Sequence, residues 1–339
     1  MTEEIPTYSR WQNFKDALYG FRPNKAKFTP DMYPDLKGKV AIVTGSNTGL
    51  GFQVTKLLYG KNCDVFMVVR NETKGQDARD TLLKEISDSE GSLTLIAGCD
   101  YLDLTAIKAV GEDIRKKLNG RPINMIIHNA GLMPPVNTGT SKQGHEAVFQ
   151  TNVLGPQLLQ HFLDPLFLKN DDTALKRIVW VSSAAHLFGY PEYGIRWENP
   201  TFENEPVESR PHPMKLYGQS KSANILQAKA WATRNAEKVN EIGCVSVSCY
   251  PGNLKTELQR GWGAINQAVG NLLLYNSVYG AYSELYGALS PDLTVADQGA
   301  YIIPWGEIGQ PRNDIKVGLT TGADLRLWDL VEEKISQFF

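Results

Sequence analysis

Residues 40–51 read Val40-Ala41-Ile42-Val43-Thr44-Gly45-Ser46-Asn47-Thr48-Gly49-Leu50-Gly51. A short β-branched apolar run passes straight into a glycine-rich turn, and the residues after Gly51 read as a helix to Tyr59. A strand, a glycine turn and a helix start together place free backbone N–H groups where a pyrophosphate can sit. Gly45 is expected to make the tight turn, Gly49 to let a phosphate approach, and Gly51 to pack helix on strand. Ser46, Asn47 and Leu50 complete the expected cradle. The spacing is T-G-x-x-x-G-x-G rather than G-x-G-x-x-G.

Outward from this unit the rhythm repeats. Apolar runs recur at Val65–Val69, Leu93–Ile96, Ile123–Ile127, Ile178–Val181 and Val245–Val247, with helical stretches such as Lys74–Ile86 and Thr105–Leu118 between them. Runs that can be buried on both faces, alternating with helices, predict a mainly parallel sheet. The expectation is α/β: one doubly wound Rossmann-type domain over 38–339, with helices on both faces, after a lead-in at 1–37. Two excursions, at about 187–214 and 259–293, are expected to cover the substrate.

The second strand ends Val68-Val69-Arg70-Asn71, with no acid to meet a ribose 2′-OH. Asp64 is at the strand's other end. Arg70 therefore points to NADP(H), the arginine taking the 2′-phosphate. After the third strand, Asp100, with Tyr101 beside it, is the expected adenine contact, although Asp100 or Asp103 could instead cap the next helix. Asn129, Ala130 and Gly131 close the fourth strand, small enough to let a cofactor ring approach.

Ser182 and Ser183 end the fifth strand, and Tyr217 and Lys221 follow four apart on one helical face. A free tyrosine titrates near ~10, and a nearby ammonium is expected to pull that value down. Tyr33 and Lys37 repeat the spacing, but Pro34 lies between them and no helical face can form.

TGSNTGLG, HNAG, VSS and YGQSK, in this order, resemble the short-chain dehydrogenase/reductase family, most similar to its retinol-dehydrogenase-like and fungal carbonyl-reductase-like members. The resemblance covers roughly 38–260. It implies that Tyr217 is the general acid in reduction, that Lys221 lowers its pKa and holds the nicotinamide ribose, and that Ser183 binds the substrate oxygen. It further implies that Asn152 supports a proton-relay water, and that Pro251, Gly252 and Thr256 line the nicotinamide. Members often pair into dimers or tetramers through the tyrosine helix, so a homodimer or homotetramer is possible. His128 stands where the family often has Asn and reads as a packing residue.

Composition excludes other classes. With 35 Lys+Arg against 37 Asp+Glu and net charge −2, no basic surplus exists to bind nucleic acid. No run reaches the ~18 apolar residues of a membrane span, and neither end carries a recognisable targeting signal, so the expected location is cytoplasmic. Cys63, Cys99, Cys244 and Cys249 read as reduced buried thiols, and no metal site is expected. His145, His161, His186 and His212 lack metal spacing and read as surface or loop residues. Met133, Pro134, Leu187, Phe188, Trp262 and Leu272 could wall an apolar pocket for a medium or bulky carbonyl or alcohol. The leading expectation is an NADPH-dependent ketone or aldehyde reductase. The alternatives are an alcohol or retinol-type dehydrogenase running oxidatively and a non-catalytic NADP(H) redox sensor. A sugar-nucleotide epimerase would carry glycine where Thr48 stands.

Overall fold

The computed structural model describes residues 9–133, 139–170, 175–255 and 274–339. Eight strands form one sheet in the order β3-β2-β1-β4-β5-β6-β7-β8. They are β1 (Val40–Thr44), β2 (Asp64–Val68), β3 (Leu93–Ile96), β4 (Met125–His128), β5 (Arg177–Val181), β6 (Val245–Cys249), β7 (Tyr301–Ile303) and β8 (Glu307–Gly309). All pairs are parallel except β7–β8, a hairpin that closes the edge.

Alternate residues of one strand enter opposite cores. Val40 and Ile42 join the cluster holding α4 (Ile107–Leu118), α5 (Gly155–Phe167), α6 (Pro213–Arg234) and α9 (Ala323–Ile335). Ala41 and Val43 join the other, with α2 (Gly49–Tyr59), α3 (Glu72–Glu85) and α7 (Ser277–Leu289). Covering on both faces is why these strands carry no polar alternation. Helices α1 (Arg10–Tyr19) and α8 (Asn313–Thr321) complete the set used below.

Three expectations change. Within the excursion at 259–293, residues 277–289 form a core helix rather than a cover. Its small residues let it lie close on the sheet: a Cβ on Gly287 would stand 3.0 Å from Val247 and 3.1 Å from Val179. That helix is apolar on nearly every side, which hid its period. Residues 187–214 are irregular but not merely superficial, since Ile195, Trp197 and Phe202 are buried. Finally, His145 and His186 are interior side chains. His145 bonds Gln150, and His186 bonds the Ser183 carbonyl at 2.8 Å. His128 packs on Trp180 at 4.4 Å and bonds Gln160. His161 stacks on Phe339, and exposed His212 caps α6.

Candidate active site

The loop after β1 is built for an anion. Gly45 and Gly49 have φ of +68° and +55°, which disfavour a side chain. A Cβ on Gly51 would lie 2.4 Å from the Gly45 carbonyl oxygen and from Asn129 Nδ2, whereas one on Gly49 would meet nothing within 4 Å. Gly51 is thus needed for packing, and the space over Gly49 is open. No side chain caps the α2 N-terminus, so its first N–H groups are left for another partner. The buried Ser46 hydroxyl has no partner either. These features fit a bound dinucleotide phosphate.

Asn129 fixes the loop from the neighbouring strand, its Nδ2 donating to the Thr44 carbonyl at 2.8 Å. The Ala130 N–H donates to Thr44 Oγ1 at 2.9 Å, and Gly131 is exposed. Arg70 is exposed just beyond β2 with no ion pair among the described residues. Asp64 is committed elsewhere, to Arg121 at 2.6 Å. Asp100 accepts the Leu102 N–H, while Asp103 caps the turn Leu104–Ala106 and pairs with Lys142. The Tyr101 ring is sunk in the core against Gly155, and its carbonyl accepts Gln150 Nε2 at 3.0 Å.

Ser183, Tyr217 and Lys221 converge at the C-terminal end of β5. Ser183 heads the turn Ala184–Phe188 and accepts the Ala185 N–H at 3.1 Å. Tyr217 lies in hydrogen-bonding contact with Ser183, and burial pushes its phenol up to about 12 while that bond pulls it down. Lys221 Nζ sits 5.6 Å from the Tyr217 ring centre and donates to the Val181 carbonyl at 2.7 Å and Asn224 Oδ1 at 3.3 Å. Burial lowers its own pKa to about 8. Burial is the larger influence on the phenol and the Ser183 bond the smaller, while Lys221 Nζ is engaged by the Val181 carbonyl and Asn224. Ser182 is structural, donating to the Lys221 carbonyl at 2.7 Å.

Asn152 stands in a π-helical turn, Gln150–Leu154, before α5. Its Oδ1 accepts the Leu132 N–H at 2.7 Å and its Nδ2 donates to the Leu132 carbonyl and to Ser220 Oγ. Its main-chain carbonyl accepts Asn224 Nδ2 at 2.8 Å. Asn224 thus links Lys221 directly to Asn152. The sequence reading missed it, although it lies three residues after Lys221 on the same helix, where side chains meet. Gly252 has φ +99° and backs against Trp305, beside buried Pro251. Thr256 lies outside the described residues, as do Pro134, Trp262 and Leu272. Leu187 is buried and Phe188 exposed. Tyr33 is buried, and Lys37 pairs with Glu90.

A second residue not singled out in the sequence is Glu284 on α7. It is fully buried, neither carboxyl oxygen has a hydrogen-bond partner, and burial raises its pKa to about 8, with Lys221 opposing. Between about pH 4.5 and 8 the folded chain keeps a proton that the unfolded chain has released. Stability therefore falls as pH rises through that window. Glu284→Gln is expected to flatten this dependence, which urea midpoints measured from pH 5 to pH 9 would reveal. Parallel curves for the two proteins would contradict it.

Among the described residues no group of His, Cys, Asp or Glu could hold a metal, and no helix is long and apolar enough to cross a membrane. The short chain dehydrogenase family matches residues 39–195. A short-chain dehydrogenase/reductase of Neocamarosporium betae is 32% identical over 331 residues, covering 93% of this chain and 92% of its own. One from Phomopsis amygdali is 32% identical over 98% of this chain and 99% of its own. Among solved structures, an uncharacterized protein from Mycobacterium Paratuberculosis has 24% identity and a TM-score of 0.68, covering 91% and 97% of the two chains. NADPH-bound carbonyl reductase from chicken fatty liver has 19% identity and a TM-score of 0.60, covering 85% and 100%. The chain belongs to the short-chain dehydrogenase/reductase family, an oxidoreductase that acts on CH–OH or C=O groups of small molecules with a nicotinamide cofactor.

Proposed function

We propose that this protein is an NADPH-dependent carbonyl reductase for ketones or aldehydes. The observation that carries the reading is the meeting of Ser183, Tyr217 and Lys221 at the end of β5, across the strand ends from the Gly45–Gly51 loop. Reduced nicotinamide would supply the hydride. The chain's own residues do the rest. Ser183 Oγ holds the substrate oxygen, and Tyr217 Oη gives it a proton. A phenol held at about 12 is protonated at neutral pH, as a donor must be. The oxidative reading would use the same hydroxyl as its phenolate, so the preference for reduction rests on the NADPH assignment. Lys221, held at about 8, can exchange a proton near neutrality and is oriented by Val181 and Asn224. A sensor that never turned over would have no use for this donor. Loop glycines, Ser46, Asn47 and Leu50 would hold the pyrophosphate, Asp100 the adenine, Asn129 through Gly131 and Pro251-Gly252 the nicotinamide end.

NADPH rather than NADH is supported by exposed Arg70, which has no ion pair among the described residues, and by the commitment of Asp64 to Arg121. The solved carbonyl reductase of similar fold is an NADPH complex. Arg70→Ala is expected to lower the NADPH-over-NADH ratio of kcat/KM by roughly 10–100-fold, the worth of a charge-assisted bond. A parent enzyme that favours NADH would end this part of the reading. Turnover of a panel of ketones, aldehydes and quinones, followed by NADPH absorbance, tests the whole.

A further inference from the structure

The helix α1 is not a loose leader. Tyr19 Oη donates to the Pro304 carbonyl at 3.1 Å, and Tyr275 Oη donates to the Phe21 carbonyl at 2.9 Å. Gly20 lies so close to Tyr250 that a Cβ would fall 2.0 Å from its hydroxyl. The helix is thereby seated on the residue just before Pro251-Gly252. Beneath it is a cavity of about 640 Å³. Its wall includes Ala184, the residue after Ser183. We propose that this cavity receives the far end of the substrate, an aromatic carbonyl compound bearing a carboxylate, and that α1 thereby sets specificity.

The proposal rests on the carbonyl-reductase reading for the reacting end. Three observations define the ligand. The volume lies in the range of pockets for drug-sized molecules and exceeds what a small ketone fills. Tyr19, Tyr250 and Tyr301 supply aromatic wall from α1 and the ends of β6 and β7. Among the described residues no Asp or Glu lines the space, while Lys15 from α1 and Lys316 from α8 do. Both lysines are exposed, and neither has an acidic partner among the described residues. His186 also lines the cavity but adds no charge. Its Nε2 accepts the Arg312 N–H at 3.1 Å, Nδ1 faces the Ser183 carbonyl and Tyr301 Oη, and burial lowers its pKa to about 4. An anionic group at the mouth therefore meets two cations and no opposing charge.

The probe pair is 4-benzoylbenzoic acid and its methyl ester, alike in shape and differing in charge. Binding to the full chain is read by displacement of 1-anilinonaphthalene-8-sulfonate, and turnover by NADPH absorbance. In the double variant Lys15→Glu, Lys316→Glu, the acid-over-ester ratio of affinity is expected to fall roughly tenfold, and more at low salt. The same ratio of kcat/KM should fall with it. Ile303→Ala should weaken acid and ester alike, because it removes apolar wall rather than a charge. Lys15 and Lys316 are exposed, and the circular dichroism spectrum checks that each variant keeps the fold. Turnover of both probes with an unmoved ratio overturns the chamber and leaves the reductase reading intact. Binding with the shifted ratio but no turnover by the parent supports the chamber and overturns the reductase reading.

Discussion

Tyr217→Phe is expected to lower kcat for carbonyl reduction by roughly 10³-fold, within the span that a positioned proton donor supplies. The loss should fall on kcat rather than on KM, because the ring and its packing are kept and only the hydroxyl is removed. Folding should be nearly unchanged, since the hydroxyl's hydrogen-bond partner is Ser183, which also serves as the cap of its own turn. NADPH affinity, measured by fluorescence titration, should stay within a few-fold. Turnover equal to that of the parent would remove Tyr217 from the chemistry, and with it the reading of the whole site. Ser183→Ala is a weaker perturbation because a substrate oxygen can still be protonated without it.

Arg312→Ala is expected to be the most damaging change away from the chemistry. Arg312 and Asp314 form an ion pair in which both side chains are fully buried, with contacts of 2.7 Å. The guanidinium also donates to the carbonyls of Leu187, Gly189 and Tyr190, so it grips the chain that leaves the Ser183 turn. Its own N–H closes on His186, whose ring holds the Ser183 carbonyl. Removing the arginine leaves a buried carboxylate without its guanidinium and takes a donor from three carbonyls, of which that of Tyr190 keeps the Gly194 N–H. A loss of about 3–5 kcal/mol is expected, read from urea denaturation. Replacing both partners by apolar residues of similar volume should cost less than removing the arginine alone. Arg312 is a positioning residue in this account, so any protein that survives the substitution should lose kcat while keeping NADPH affinity. A loss below ~1 kcal/mol would show that the clamp is dispensable.

The strands were readable where burial on both faces forced β-branched runs. The run at Leu93–Ile96 coincides with β3, and the other five differ from the observed strands only at their ends. Strands β7 and β8 were not readable, because each has three residues and owes its existence to the neighbour it pairs with. Helix α1 looked like an aperiodic lead-in, since what orders it is contact with Tyr250, Tyr275 and Pro304, more than two hundred residues away. Of the site, the residues with a motif were legible: the glycine loop, Asn129, Asn152, Ser183, Tyr217 and Lys221 were named by pattern. Asn224, Glu284, His186 and Arg312 were not, because their significance lies in which buried atom they face. The burial that raises the Tyr217 pKa was not legible for the same reason: helical spacing shows that the lysine is near, but a sequence does not display how far a pocket is desolvated.

The strand order carries a kinetic implication. The groups that meet at the site come from the ends of β1, β4, β5 and β6 and from α6, so they span the chain from Gly45 to Gly252. β4 lies beside β1, with β2 and β3 on the far side, so the central pair joins only after two whole strand–helix units have intervened. Parallel pairings at such separation close large loops and are slow to form. A fragment that ends before β5 holds the glycine loop without Ser183, Tyr217 and Lys221. Recovered turnover after refolding would therefore count finished molecules, and it would lag behind the return of helical signal.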